Sequence, residues 1–182
     1  KKKLKPRTSL AISKVFLISA KSNLDGIQVM PRHNRLRGVY EMNLRKGSEI
    51  RDNAQLKESF FRLGQQTFGL DYFDWSCFGY WDNTYVPYGI EVDGEIVANV
   101  SISKSTLVVD GETYKVAQIG GVMTNPNYRG QGLSRRLMEE VMIDTNDVDL
   151  IYLFANHTVL DYYPKFGFEK RAQSTYTLNS SE

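Results

Sequence analysis

The chain has 182 residues, 41% of them hydrophobic, with one cysteine and two histidines. That length suits one domain with a full core. No apolar run approaches the ~20 residues of a membrane-spanning helix, so a soluble protein with no membrane partner is expected. Cys77 alone excludes an intramolecular disulfide framework and fits a reducing, cytoplasmic compartment, and His33 and His157 stand too far apart for zinc spacing, so no metal is expected. The formal net charge of +2 hides two unlike halves: ten Lys/Arg against Asp25 up to residue 40, a balance of +9, and 13 against 20 acids from Glu41 onward, a balance of −7.

Taken in chain order, residues 1–41 lack clean periodicity. A basic tail for an anionic surface and a targeting peptide, with Lys14 interrupting its apolar stretch, are two readings. The preferred one is an N-terminal extension or mis-called start outside the domain, which then occupies 42–182. Residues 38–46 read as a first strand. Asp52-Asn53 looks like a helix start, with Leu56, Phe60, Phe61 and Leu63 at near-helical spacing to about Phe68. An aromatic-rich segment, 70–88, reads as a short helix and loop. Strands follow at 86–92, 95–103, 106–109 and 113–124, with Asp93-Gly94 and Asp110-Gly111 between them as hairpin turns. A helix is expected over 130–145, striped by Leu133, Leu137, Val141 and Met142. Residues 150–155 read as a buried strand, 157–165 as a short helix, and 168–178 as a last strand. The class is α/β: a mixed, mostly antiparallel central sheet flanked by helices on both faces.

The run Asn125 to Leu133 carries the chemistry. A strand meets the turn Asn125-Pro126-Asn127, and Arg129-Gly130-Gln131-Gly132 then opens the helix. Unpaired N–H groups and the positive end of the helix dipole converge there, and glycine admits a phosphate close to the backbone. A phosphorylated cofactor is the expected ligand. The loop lacks the Gly-Lys-Ser/Thr of a Walker loop and the third glycine of a dinucleotide fingerprint.

A second constellation follows the strand 150–155, where Asn156 can cap the next element and Tyr163 lies close to the strand end. Here the chain resembles the GNAT superfamily of acetyl-CoA-dependent N-acetyltransferases. Arg129, Gly130, Gln131, Gly132, Leu133 and Ser134 are similar to its pyrophosphate loop, with Ser134 replacing a final Gly or Ala. Asn156, Tyr163, Lys165, Gly167 and Phe168 resemble its Asn-x6-Tyr-x-Lys-x-Gly-Phe segment. The resemblance covers about residues 42–178. It implies the same α/β architecture, acetyl-CoA as co-substrate, and a small-molecule or peptide amine as acceptor. It also implies a further strand after 168–178, where this sequence stops; that strand is contributed otherwise, or the chain is a fragment. An open sheet edge would invite pairing, so monomer and homodimer both stay open.

On this reading Tyr163 is the general acid for the departing thiolate. Val122, Met123 and Thr124 would offer backbone groups to the pantetheine and the thioester carbonyl where their strand splays from its neighbour. Asn156 would orient the pantetheine arm or the helix carrying Tyr163. No general base stands out: Gln118 occupies the glycine-loop strand, and Asp71, Asp74 or a water chain are the alternatives. His157 reads as a cap or solvent-facing residue. The aromatics between Phe68 and Tyr88 read as core or acceptor wall, with Asp71, Asp74 and Asp82 favouring a cationic amine. Three competing functions are a non-catalytic acetyl-CoA-binding module, a nucleic-acid binder and a cysteine hydrolase on Cys77. The aromatic segment lacks the interleaved Lys/Arg of a stacking platform, so no nucleic acid is expected. Cys77 has no activating neighbour in sequence.

Overall fold

A computed structural model describes residues 14–19 and 41–172. Strands β1 (Lys14–Ser19), β2 (Asn43–Lys46), β3 (Tyr85–Val92), β4 (Glu95–Val109), β5 (Glu112–Thr124), β6 (Leu150–Ala155) and β7 (Glu169–Arg171) form one sheet in the order β2-β3-β4-β5-β6-β1-β7. All pairings are antiparallel except β5–β6, which is parallel. Helices α1 (Ser48–Arg51), α2 (Ala54–Phe68), α3 (Phe73–Cys77) and α4 (Leu133–Asp144) complete the mixed α/β architecture.

Local chemistry sets most of these boundaries. Asn53 caps α2 by accepting from the Leu56 N–H, and Gly69 ends the helix at φ 68°. Asp93-Gly94 and Asp110-Gly111 both adopt positive φ, as a two-residue hairpin turn between right-twisted strands requires. The apolar stripe of α4 (Leu133, Leu137, Met138, Val141, Met142) packs with Tyr88, Val100, Ile102 and Ile119 in one core. A second core joins Ile50, Leu56, Phe60, Leu63 and Trp81 to Ile96 and Met123.

Four expectations change. The two strands read at 95–103 and 106–109 are one, because β4 pairs with β5 without interruption from Ser101 to Val109, carrying the polar Lys104-Ser105 along. The first strand shortens to Asn43–Lys46, residues 38–40 lying outside the described ones. The helix expected at 157–165 is two 3-10 turns, His157–Val159 and Tyr163–Phe166, since Pro164 removes a donor and disfavours α geometry in the residue before it. Of the strand expected at 168–178, β7 covers Glu169–Arg171, and residues 173–178 lie outside the described ones. The strand at Lys14–Ser19, from the segment assigned to the extension, pairs antiparallel with both β6 and β7 and fills the place between them.

Candidate active site

The site begins where a ladder stops. Parallel pairing of β5 with β6 runs from Val116–Leu150 to Ile119–Leu153 and ends there. Beyond it β6 continues on β1, with Phe154 opposite Val15 and Ala155 opposite Lys14, while β5 continues on β4 alone. Among the described residues, no strand pairs with the β6-side edge of β5 over Gly120–Thr124. Backbone groups on such an edge are available to a ligand. Val122, Met123 and Thr124 stand there as expected; Met123 is also buried in the second core.

The glycine loop follows directly from this edge, between the end of β5 and the start of α4. Asn125 accepts from the Asn127 N–H to start the turn Pro126–Tyr128, and Gly130 (φ 75°) and Gly132 (φ 74°) bend the chain into α4. A Cβ at either glycine would meet nothing within 4 Å, so conformation and not crowding is what calls for glycine here. The first intrahelical bond of α4 is Arg136 N–H to the Gly132 carbonyl at 3.0 Å, and no side chain caps the start. The N–H groups of Leu133, Ser134 and Arg135 are thus unmatched inside the helix and aim outward, the arrangement an anion completes. Arg129, Gly130, Gln131 and Gly132 are exposed, Leu133 is buried as the loop's anchor, and Ser134 is half-buried. The Arg129 Nε donates to the Thr124 carbonyl at 3.3 Å, linking the loop to the end of β5.

Asn156 follows the last residue of β6 and accepts from the Thr158 N–H at 3.1 Å, so it caps the turn while staying exposed. Tyr163 is buried in the first core, its ring edge-on to Tyr162 and Phe168. Burial pushes its hydroxyl up to about 12, and Tyr162 adds to the effect. Tyr162 itself is a residue that sequence reasoning passed over. Burial raises its hydroxyl as well, while Ser134 and Arg135 on the first turn of α4 act against that rise. The same buried hydroxyl has no hydrogen bond of ordinary geometry. It thus sits beside the first turn of α4, and the Asn-x6-Tyr spacing that singles out Tyr163 leaves Tyr162 unmarked.

On β5, Gln118 is held by Tyr152 of β6, whose hydroxyl donates to its Oε1 at 3.1 Å. Gly120, next along, is open: an added Cβ would touch nothing within 4 Å. Two of the acidic residues near the aromatics cap local backbone. Asp71 accepts from the Phe73 N–H at 2.8 Å and Asp82 from the Thr84 N–H at 2.8 Å. The aromatics divide as well. Trp81 and Tyr88 are buried, Tyr72, Trp75 and Tyr85 pack around Phe60, and Phe68, Phe73, Phe78 and Tyr80 are exposed. His157 and Cys77 are exposed too.

The ladder therefore parts beside a glycine loop at a helix start. Residues 53–171, more than half of the chain, match the acetyltransferase (GNAT) domain family, and the chain belongs to that family. It is similar to GCN5-related N-acetyltransferase 2, chloroplastic, of Arabidopsis thaliana, at 40% identity over 55 residues, which are 29% of this chain and 21% of that protein. The match therefore spans about a fifth of that relative's length. Among solved structures, a predicted acetyltransferase with acetyl-CoA from Clostridium acetobutylicum superposes with a TM-score of 0.60 at 21% identity, covering 76% of this chain and 96% of that one. An aminoglycoside N-acetyltransferase in complex with CoA superposes with a TM-score of 0.60 at 13% identity, covering 81% and 100%.

Proposed function

We propose that the chain transfers an acetyl group from acetyl-CoA to a primary amine by direct attack. The observation that carries this reading is that the β5 edge freed at Gly120–Thr124 runs straight into the glycine loop, whose helix start leaves the N–H groups of Leu133–Arg135 without intrahelical partners. The pyrophosphate would rest on the backbone of Arg129 to Ser134, the pantetheine along Val122, Met123 and Thr124, and Asn156 beside its arm. The free amine attacks the thioester carbonyl, the C–N bond forms, and the tetrahedral intermediate collapses with cleavage of C–S. The thiolate takes up a proton and the new ammonium loses one.

Tyr163 is the donor to that sulfur. Full proton transfer from a phenol at about 12 to a thiolate of ordinary pKa ~8.5 is uphill by roughly 5 kcal/mol. Tyr163 therefore works as a hydrogen bond to the developing thiolate, and its proton crosses only as the amine's proton replaces it. The acceptor reading rests on two supports. Gly120 leaves room above β5, and the neighbouring Gln118–Tyr152 pair is uncharged. A nucleic acid or metal has no part in this scheme.

A second reading is a module that binds acetyl-CoA without transferring it, and Gln118 in place of a carboxylate is the observation that favours it. Titration calorimetry tests the shared step first. Acetyl-CoA is expected to bind at micromolar concentration, and Arg129→Glu to weaken it at least ~10-fold by setting a negative charge beside the phosphates and by losing the tie to Thr124. No binding to a folded chain would overturn both readings. Binding with no acetylated product across polyamine, aminoglycoside and lysine-peptide acceptors would select the second.

A further inference from the structure

Between β4 and β5 the register slips: Asn99 faces Met123 while Ser101 faces Gly120, so Val100 alone stands opposite Gly121 and Val122. This is a β-bulge on β5, with Gly121 at φ 57°. It begins two residues after the β5–β6 ladder ends at Ile119. A bulge takes a carbonyl out of the ladder, and a buried carbonyl needs a donor from elsewhere. Here Asn99 supplies it: its Nδ2 donates to the Gly121 carbonyl at 2.8 Å and to the Ser101 Oγ at 2.8 Å.

The environment shows what this amide is for. Asn99 is completely buried, one of four buried polar residues among those described. Its Oδ1 is buried with no hydrogen-bond partner. An orphaned amide oxygen is destabilising, and a packed Val or Leu would avoid it. Reversing the amide would turn that oxygen onto the Gly121 carbonyl, so the pairing sets its orientation. A Cβ at Gly121 would lie 3.3 Å from Asn99 Nδ2, 3.4 Å from Ser101 Oγ and 3.5 Å from the Tyr85 hydroxyl. The amide is therefore packed directly against the bulge.

We propose that Asn99 is a positioning residue that locks the Gly121 bulge and so aims the Val122–Thr124 edge of β5 at the thioester carbonyl. This rests on the acetyl-CoA reading above. A misaimed donor leaves the cofactor's phosphates bound but no longer polarises its carbonyl. Asn99 touches no substrate; it acts through Gly121.

The test uses acetyl-CoA carrying 13C at the thioester carbonyl and reads that carbonyl's infrared band in the bound state, alongside calorimetry and amide hydrogen exchange over residues 120–124. Wild type is expected to bind acetyl-CoA with the band lowered relative to free acetyl-CoA. Asn99→Ala is expected to bind within about 3-fold of wild type, since the phosphate loop is untouched, yet to lose most of the band shift and to exchange faster at 120–124. Should Asn99→Ala fail to fold, Asn99→Leu carries the same expectation with the buried volume kept filled, because it removes the donor to Gly121 and introduces no charge. Ser101→Ala, which leaves that donor in place, is expected to keep the shift. A folded Asn99 variant with the wild-type band and wild-type exchange would overturn the role of Asn99 and leave the cofactor reading standing. A wild-type chain that binds acetyl-CoA with no band shift would do the same. A wild-type chain that binds no acetyl-CoA overturns both.

Discussion

At the residue scale, the role proposed for Tyr163 asks one side chain to be core and chemistry at once. Tyr163 contributes an aromatic body to the first core, and the burial that this requires pushes its hydroxyl up to about 12. At neutral pH the phenol is fully protonated, which a donor needs, but it is too weak an acid to give the proton up alone. Tyr163→Phe keeps the ring and removes only the hydroxyl. Thiol release from acetyl-CoA in the presence of a primary amine is expected to fall ~10²-fold, with the calorimetric affinity for acetyl-CoA unchanged. A variant that transfers at the wild-type rate would place the donor elsewhere. One that loses acetyl-CoA binding would make Tyr163 a packing residue.

At the element scale, α2 is tied to the sheet by a contact that its periodicity does not reveal. Ser59 is 2% exposed on the inner face of the helix. Its Oγ accepts from the Ile96 N–H at 2.8 Å and donates to Glu95 Oε2 at 2.7 Å, and Arg62 from the next turn grips the same carboxylate at 2.7 Å. The Arg62–Glu95 pair is about half exposed and adds little. The Ile96 N–H is buried, so losing its partner is the larger effect. Ser59→Ala is expected to lower unfolding free energy by about 1–3 kcal/mol in urea, with acetyl-CoA affinity unaltered. A loss below the error of the measurement would mean water replaces the hydroxyl.

At the scale of the whole molecule, the buried phenols make alkaline pH the vulnerable side. Burial raises Tyr85 and Tyr88 well above the ordinary phenol range, Asp144 and Glu140 raise Tyr88 further, and Tyr163 reaches about 12. Each group holds its proton more tightly folded than unfolded. The stability it contributes is complete below the unfolded value of ~10 and drains as pH climbs toward the folded value. Lys46, raised by Asp144 and Glu140 against its desolvation, acts in the same direction. Thermal unfolding followed from pH 7 to 12 is expected to show a midpoint that falls once pH passes ~10. A midpoint that is flat to pH 12 would mean these hydroxyls titrate as exposed phenols do.

The sequence by itself determined what neighbours in the chain decide. Asn53 and Gly69 bracket α2, two Asp-Gly pairs turn the hairpins, the stripe from Leu133 to Met142 makes α4 amphipathic, and the glycine loop before it is legible because φ near +75° is a local demand. Even the two motifs of the site are local runs. Only the tertiary structure decided which edge opens. The β5–β6 ladder ends at Ile119 while β6 goes on pairing with β1 to Ala155, a choice among partners that no single strand encodes. The bulge carbonyl at Gly121 finds its donor 22 residues away on β4, in a side chain that reads from sequence as an ordinary strand asparagine. Proline at 164 turned an expected helix into 3-10 turns, and burial, which is a property of everything packed around a group, moved Tyr163 to about 12. Conformational preference is stored in adjacent residues, whereas strand partnership and desolvation are set by residues far apart in the chain.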